Sequence, residues 1–144
     1  SLPHGKRMLI LNNGVYGERM SQIIGLHRLG VSELKYEWTV RPDPERLLLA
    51  LRQHPEVHVV GMVHHETTTG LLNPVHEVAE IVDNQNRVFV LDAVSALAGE
   101  TLNIAKSHIY MVAFRGFRAC PSCLSGKGSS KKCARTQNAR GIFI

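Results

Sequence analysis

Val57-His58-Val59-Val60-Gly61-Met62-Val63-His64-His65-Glu66-Thr67-Thr68-Thr69-Gly70 is a nearly continuous apolar run that stops in a cluster of imidazoles, a carboxylate and hydroxyls. Apolar residues at successive positions, rather than alternate ones, suit a strand covered on both faces within a parallel sheet. The pattern returns at Val88-Phe89-Val90-Leu91, which runs into Asp92-Ala93-Val94-Ser95. A helical stretch from Pro74 to Asn84 lies between the two runs. A βαβ unit brings the C-terminal ends of its two strands to one edge, where such folds bind ligands. The two polar clusters therefore predict one site on that edge.

Reading outward, Lys6 to Leu11 is a short apolar strand that ends at Asn12-Asn13-Gly14. Val15, Met20, Ile23, Ile24 and Leu26 then recur at mixed three- and four-residue spacing, which predicts a helix, with Gly30 placed to stop it. Leu34 to Val40 alternates as a strand does. Asp43 followed by Pro44 predicts a capped helix start, with Leu47, Leu48 and Leu51 turned inward. Asn73-Pro74 repeats that signal ahead of Val75, Val78, Ala79 and Val82. Arg87 to Leu91 is the next buried strand. The order βαβαβαβ predicts an α/β fold, a three-layer sandwich with a mainly parallel sheet.

The 144 residues suffice for one domain with a real core, and 44% hydrophobic content is that of a soluble globular chain. No apolar run is long enough to span a bilayer, so no membrane partner is expected. The start, Ser1-Leu2-Pro3-His4-Gly5, lacks the shape of a signal peptide and reads like the middle of a chain. Three late cysteines give no disulfide framework, and a cytoplasmic location is the expectation. The net charge of +5 is uneven: residues 1–104 hold nine basic and twelve acidic side chains, and from Ala105 onward there are eight basic and no acidic ones. Ile109 to Phe114 reads as one more strand. Beyond it, Arg115 to Arg140 is rich in Gly, Ser, Lys and Arg and has no clear period. Residues 1–112 are thus expected to be a folded unit, and 113–144 a basic, disordered or aberrant tail.

Three stretches carry a resemblance. They are Leu11-Asn12-Asn13-Gly14-Val15-Tyr16-Gly17-Glu18-Arg19-Met20, the run from Val63 to Pro74, and the run from Leu91 to Glu100. In order and spacing they resemble the class V, fold type I family of pyridoxal-phosphate enzymes over roughly 5–112. The His-His-Glu-Thr-Thr-Thr-Gly string is most like its aminoethylphosphonate–pyruvate branch. The resemblance implies pyridoxal phosphate as cofactor, an amine and a keto acid such as pyruvate as substrates, and a homodimer. It also implies roles. Asp92 lies under the pyridine nitrogen and keeps it protonated. Thr67 donates to the phenolic oxygen or holds the ring edge, and Tyr16 stacks on the ring. Ser95 and His65 give support from behind. A paired family member leaves an apolar surface uncovered in a single chain of this length.

Departures from the family pattern are as informative. The phosphate-binding loop of the family precedes the first strand, upstream of Lys6. Its Schiff-base lysine follows the aspartate, where this chain reads Phe114-Arg115-Gly116-Phe117-Arg118-Ala119-Cys120, with Arg118 near the lysine position. A guanidinium stays protonated and cannot serve as that nucleophile. No catalytic lysine is therefore assigned, and the chain reads as a fragment, with a shifted reading frame or alternative splice after about Val112 as one origin. The expectation is a transaminase-type chain with little activity of its own. The alternative is a catalytically inactive homologue acting as scaffold or binding protein.

Other readings are weaker. Adjacent histidines on a strand point to opposite faces, so His64 and His65 do not readily share a metal ion, and no metal is expected. Cys120-Pro121-Ser122-Cys123 with Cys133 supplies three of the four ligands a structural zinc wants. The basic tail lacks aromatic interleaving and any known module, so no nucleic-acid partner is expected. Gly14 and Gly17 do not have the spacing of a dinucleotide fingerprint.

Overall fold

The computed structural model describes residues 5–96 and the backbone of two further strands, 109–113 and 140–143. In chain order the elements are β1 (Arg7–Asn12), α1 (Val15–Leu26), β2 (Gly30–Lys35), α2 (Pro44–Gln53), β3 (Val57–Val63), β4 (His65–Glu66), β5 (Leu71–Leu72), α3 (Val75–Asn84), β6 (Val88–Asp92), β7 (Ile109–Ala113) and β8 (Arg140–Phe143). Six strands form one sheet in the order β2-β1-β3-β6-β7-β8, and every pairing in it is parallel. A two-stranded antiparallel ribbon, β4-β5, projects beyond it. The expected α/β architecture with a parallel sheet is what the molecule has. β8 begins at Arg140, the last residue of the stretch read as having no clear period. Arg118 and the three cysteines lie outside the described residues.

Side-chain alternation assigns the two faces of the sheet. Leu9, Leu11, Val60, Met62, Phe89 and Leu91 join Leu47 and Leu51 of α2 and Val75, Val78, Ala79 and Val82 of α3 in one buried cluster. The opposite face takes α1. There Gly61 backs onto Ile10 and Met20: a methyl group at Gly61 would fall 2.5 Å from Ile10 Cδ1 and 3.0 Å from Met20 Sδ. At Gly17 it would fall 2.9 Å from Asn12 Oδ1. Helix and sheet therefore approach more closely than a larger residue at either position allows. This explains a departure from the expected apolar stripe of α1. Its buried residues are Gly17, Ser21 and Ile24, whereas Ile23 and Leu26 face solvent, Leu26 at 82% exposure.

Three boundaries also differ from expectation. The strand read at Leu34 to Val40 runs instead from Gly30 to Lys35. Its register is set by β1, from Arg7 opposite Gly30 to Asn12 opposite Lys35. The Arg7 guanidinium secures it, donating to the Val31 carbonyl at 2.7 Å and the Ser32 hydroxyl at 3.2 Å. Gly30 therefore begins a strand and does not stop a helix; α1 closes at Leu26, and Arg28 takes the left-handed turn at φ 55°. Asn73 does not cap α3, because its side chain is used elsewhere, as described below. Asp43, by contrast, caps α2 as expected, accepting from the Glu45 amide at 2.9 Å with Pro44 at the first position.

Candidate functional site

Neighbouring β2 and β3 flank β1, so the chain leaves the C-terminal end of β1 in one direction along the sheet and that of β3 in the other. A parallel sheet opens a crevice at such a reversal, and ligands bind there. The segments leaving this crevice are Asn13-Gly14 after β1 and His64 to Gly70 after β3. Asp92 ends β6 beside them, opposite Val63 in register.

The walls of the crevice are tied together by polar groups out of contact with water. Asn12, Asn13, Asn73, His64 and Glu66 are all buried. Asn13 and Asn73 exchange side-chain hydrogen bonds: Asn13 Nδ2 donates to Asn73 Oδ1 at 2.8 Å, and Asn73 Nδ2 donates to Asn13 Oδ1 at 3.2 Å. Their remaining N–H groups reach backbone carbonyls, Asn13 that of Val40 at 3.0 Å and Asn73 that of Val63 at 2.8 Å. Four segments thus meet in one amide pair, and each buried amide is satisfied, as burial demands. Glu66, fully buried, accepts from the Gly17 amide at 3.0 Å and from the Thr68 hydroxyl at 3.2 Å.

The five residues expected from sequence all lie along this edge. Tyr16 is in the first turn of α1 and 38% exposed. Thr67 is exposed on the loop after β4, and His65 is half-buried in β4. Ser95 is exposed and donates to the His65 carbonyl at 2.9 Å, so these two touch. Asp92 is half-buried; its Oδ1 accepts from the Val94 amide at 3.1 Å, and its carbonyl accepts from the His64 amide at 2.8 Å. Tyr16 and Thr67 are linked through Glu66, each one residue from a bond to its carboxylate. Glu66, Asn13 and Asn73 were not among the residues expected to hold a ligand. The one signal for Glu66 is the pair Gly14 and Gly17, small residues that leave room for a neighbour.

On β2, burial pushes the Glu33 carboxyl up, but the Ser21 hydroxyl and the Lys35 ammonium 3.1 Å away outweigh it and hold the group below the usual carboxylate range. Burial pushes the Tyr36 phenol up, against the pull of Arg46, whose guanidinium lies 4.8 Å over its ring. Among the described residues, no three metal-capable side chains cluster, and no helix is long and apolar enough to cross a membrane.

The arrangement suits an aromatic, cationic ligand. A carboxylate stands at a strand end, an aromatic side chain at a helix start, and hydroxyls on the loop between them. A carboxylate, an aromatic ring and hydroxyls are donor types compatible with pyridoxal phosphate. Comparison with known proteins agrees. Residues 5–120 match the model of the family described as aminotransferase class-V. The chain is 41% identical over 105 residues to a 2-aminoethylphosphonate–pyruvate transaminase of Syntrophobacter fumaroxidans, covering 73% of this chain and 28% of that protein. It superposes on pyridoxamine-pyruvate aminotransferase from Mesorhizobium loti with a TM-score of 0.64 at 27% identity, covering 69% of this chain and 26% of that one. Ureidoglycine-glyoxylate aminotransferase from Bacillus subtilis gives a TM-score of 0.67 at 27% identity, with 72% and 27% covered. The chain spans a little over a quarter of the length of these relatives. It belongs to the class-V aminotransferases, a family whose cofactor is pyridoxal phosphate.

Proposed function

We propose that this chain is the cofactor-facing part of the large domain of a transaminase that moves an amino group from 2-aminoethylphosphonate to a keto acid such as pyruvate. The observation that carries the reading is the convergence of Asp92, Tyr16 and the Thr67 loop on the crevice where the sheet reverses. The 41% identity to a 2-aminoethylphosphonate–pyruvate transaminase supports the choice of donor. When bound, pyridoxal phosphate supplies an electron-accepting ring that lets an amino group pass between substrates. Asp92 holds a proton on the ring nitrogen, because a carboxylate there favours the charged form. Thr67 donates to the phenolic oxygen, and Tyr16 covers one ring face. Ser95 and His65 hold the two loops against each other. The complete enzyme is a homodimer.

A second reading rests on Arg118, which stands near the family's lysine position and cannot replace a lysine. On that reading the chain is an inactive homologue that binds cofactor or a partner subunit. The test is titration of the full chain with pyridoxal phosphate, followed by circular dichroism in the cofactor's absorption band, borohydride reduction and peptide mapping. The proposal expects a cofactor signal that Asp92→Asn weakens about tenfold, the loss of one charge-assisted hydrogen bond. A single reduced adduct on Lys106 or Lys127 would make this chain a candidate enzyme in its own right. Cofactor binding without an adduct selects the inactive homologue, and no signal at all sinks the cofactor reading.

A further inference from the structure

We propose that Glu66 is a positioning residue of the cofactor edge: its buried carboxylate clamps the start of α1, which carries Tyr16, to the loop that carries Thr67. The inference rests on the cofactor reading above and adds a residue to it. Gly17 directly follows Tyr16, and Glu66 directly precedes Thr67. The bond from the Gly17 amide to Glu66 Oε1 at 3.0 Å therefore ties together the immediate neighbours of Tyr16 and Thr67, two residues far apart in sequence. The Thr68 hydroxyl, 3.2 Å from Oε2, fixes the other oxygen on its own loop.

Capping alone does not require this arrangement. The Gly17 amide is one of the orphan donors of a helix start, and α1 has no side-chain cap of its own. A serine at position 14 could cap the helix locally with a neutral hydroxyl. The molecule instead buries a carboxylate, which is costly unless donors surround it. Position 14 is kept bare for that carboxylate: a methyl group on Gly14 would fall 2.5 Å from Oε2 and 2.6 Å from Cδ. The backbone of Gly14 is extended, with φ 175°, so it is space and not conformational freedom that calls for glycine here. What the remote carboxylate adds over a local cap is a fixed separation across the crevice.

The test uses the full chain and the variants Glu66→Ala, Glu66→Gln, Gly14→Ala and Tyr16→Ala. Without cofactor, amide exchange at Gly17 is followed by NMR against core amides of β3. Glu66→Ala is expected to speed Gly17 exchange about tenfold beyond whatever change the lower global stability brings to Val60. Glu66→Gln, which keeps an acceptor oxygen, restores most of the protection. Gly14→Ala displaces the carboxylate without removing it and reproduces Glu66→Ala; it carries the test if the latter does not fold. With pyridoxal phosphate, Glu66→Ala weakens binding about tenfold, and adding Tyr16→Ala to it weakens binding little further, whereas a purely structural role gives effects that multiply. Unchanged Gly17 exchange in Glu66→Ala and Gly14→Ala overturns the clamp, and so do multiplying effects of Glu66→Ala and Tyr16→Ala. Gly17 released in Glu66→Ala, with no cofactor signal in the unmodified chain, sinks the cofactor reading and leaves the clamp standing.

Discussion

Helices α1 and α2 start in opposite ways. α2 is capped by the residue that precedes it: Asp43 accepts from the Glu45 amide two positions on, and Pro44 presets the first turn. α1 begins at a glycine without a side chain, and its Gly17 amide is met by Glu66 of β4, on the far side of the crevice. Both solve the same problem, orphan N–H groups at a helix start. The local solution makes α2 nearly independent of the rest of the edge. The remote one makes the position of α1 depend on the loop after β3, and that is the pair of segments a ligand in the crevice would touch.

The contrast can be broken most severely at Glu66. Glu66→Ala leaves the Gly17 amide unpaired beside a new void, and chemical denaturation should show a loss of about 3 kcal/mol. Asn73→Ala comes next. It strands the Val63 carbonyl and one half of the Asn13 pair, and should lose about 2 kcal/mol in the same measurement. Asp43→Ala removes the exposed local cap and should lose about 1 kcal/mol, with no change in Gly17 exchange. The smallest effect is a gain. Arg28 holds the left-handed turn after α1 at φ 55°, a conformation that favours glycine. Arg28→Gly should therefore raise stability by about 0.5–1 kcal/mol, read as a higher denaturation midpoint with an unchanged slope.

The same contrast explains what was legible in the sequence. Asp43-Pro44 could be read because a cap and its helix are neighbours, and α3's apolar spacing could be read because it is local too. The parallel sheet followed from nearly unbroken apolar runs at Val57 to Val63 and Val88 to Leu91. Asp92 and the threonine loop were visible because polar residues interrupt those runs at strand ends. The failures are all long-range. β2 was displaced because pairing with β1 and the Arg7 guanidinium, not alternation, set its bounds. Asn73 resembled a cap, yet Asn13 and the Val63 carbonyl claim its amide from other segments. The buried face of α1 is built from Gly17 and Ser21, which no apolar count would choose. Glu66 could not be told from a solvated loop acid until the fold set it against Gly17.

The most direct measurement is the circular dichroism induced in pyridoxal phosphate by the unmodified chain, Glu66→Ala and Asp43→Ala, titrated side by side. The account predicts a signal from the unmodified chain, the same signal and affinity from Asp43→Ala, and about tenfold weaker binding with a diminished signal from Glu66→Ala. Equal binding by all three, or equal loss in both variants, would contradict it.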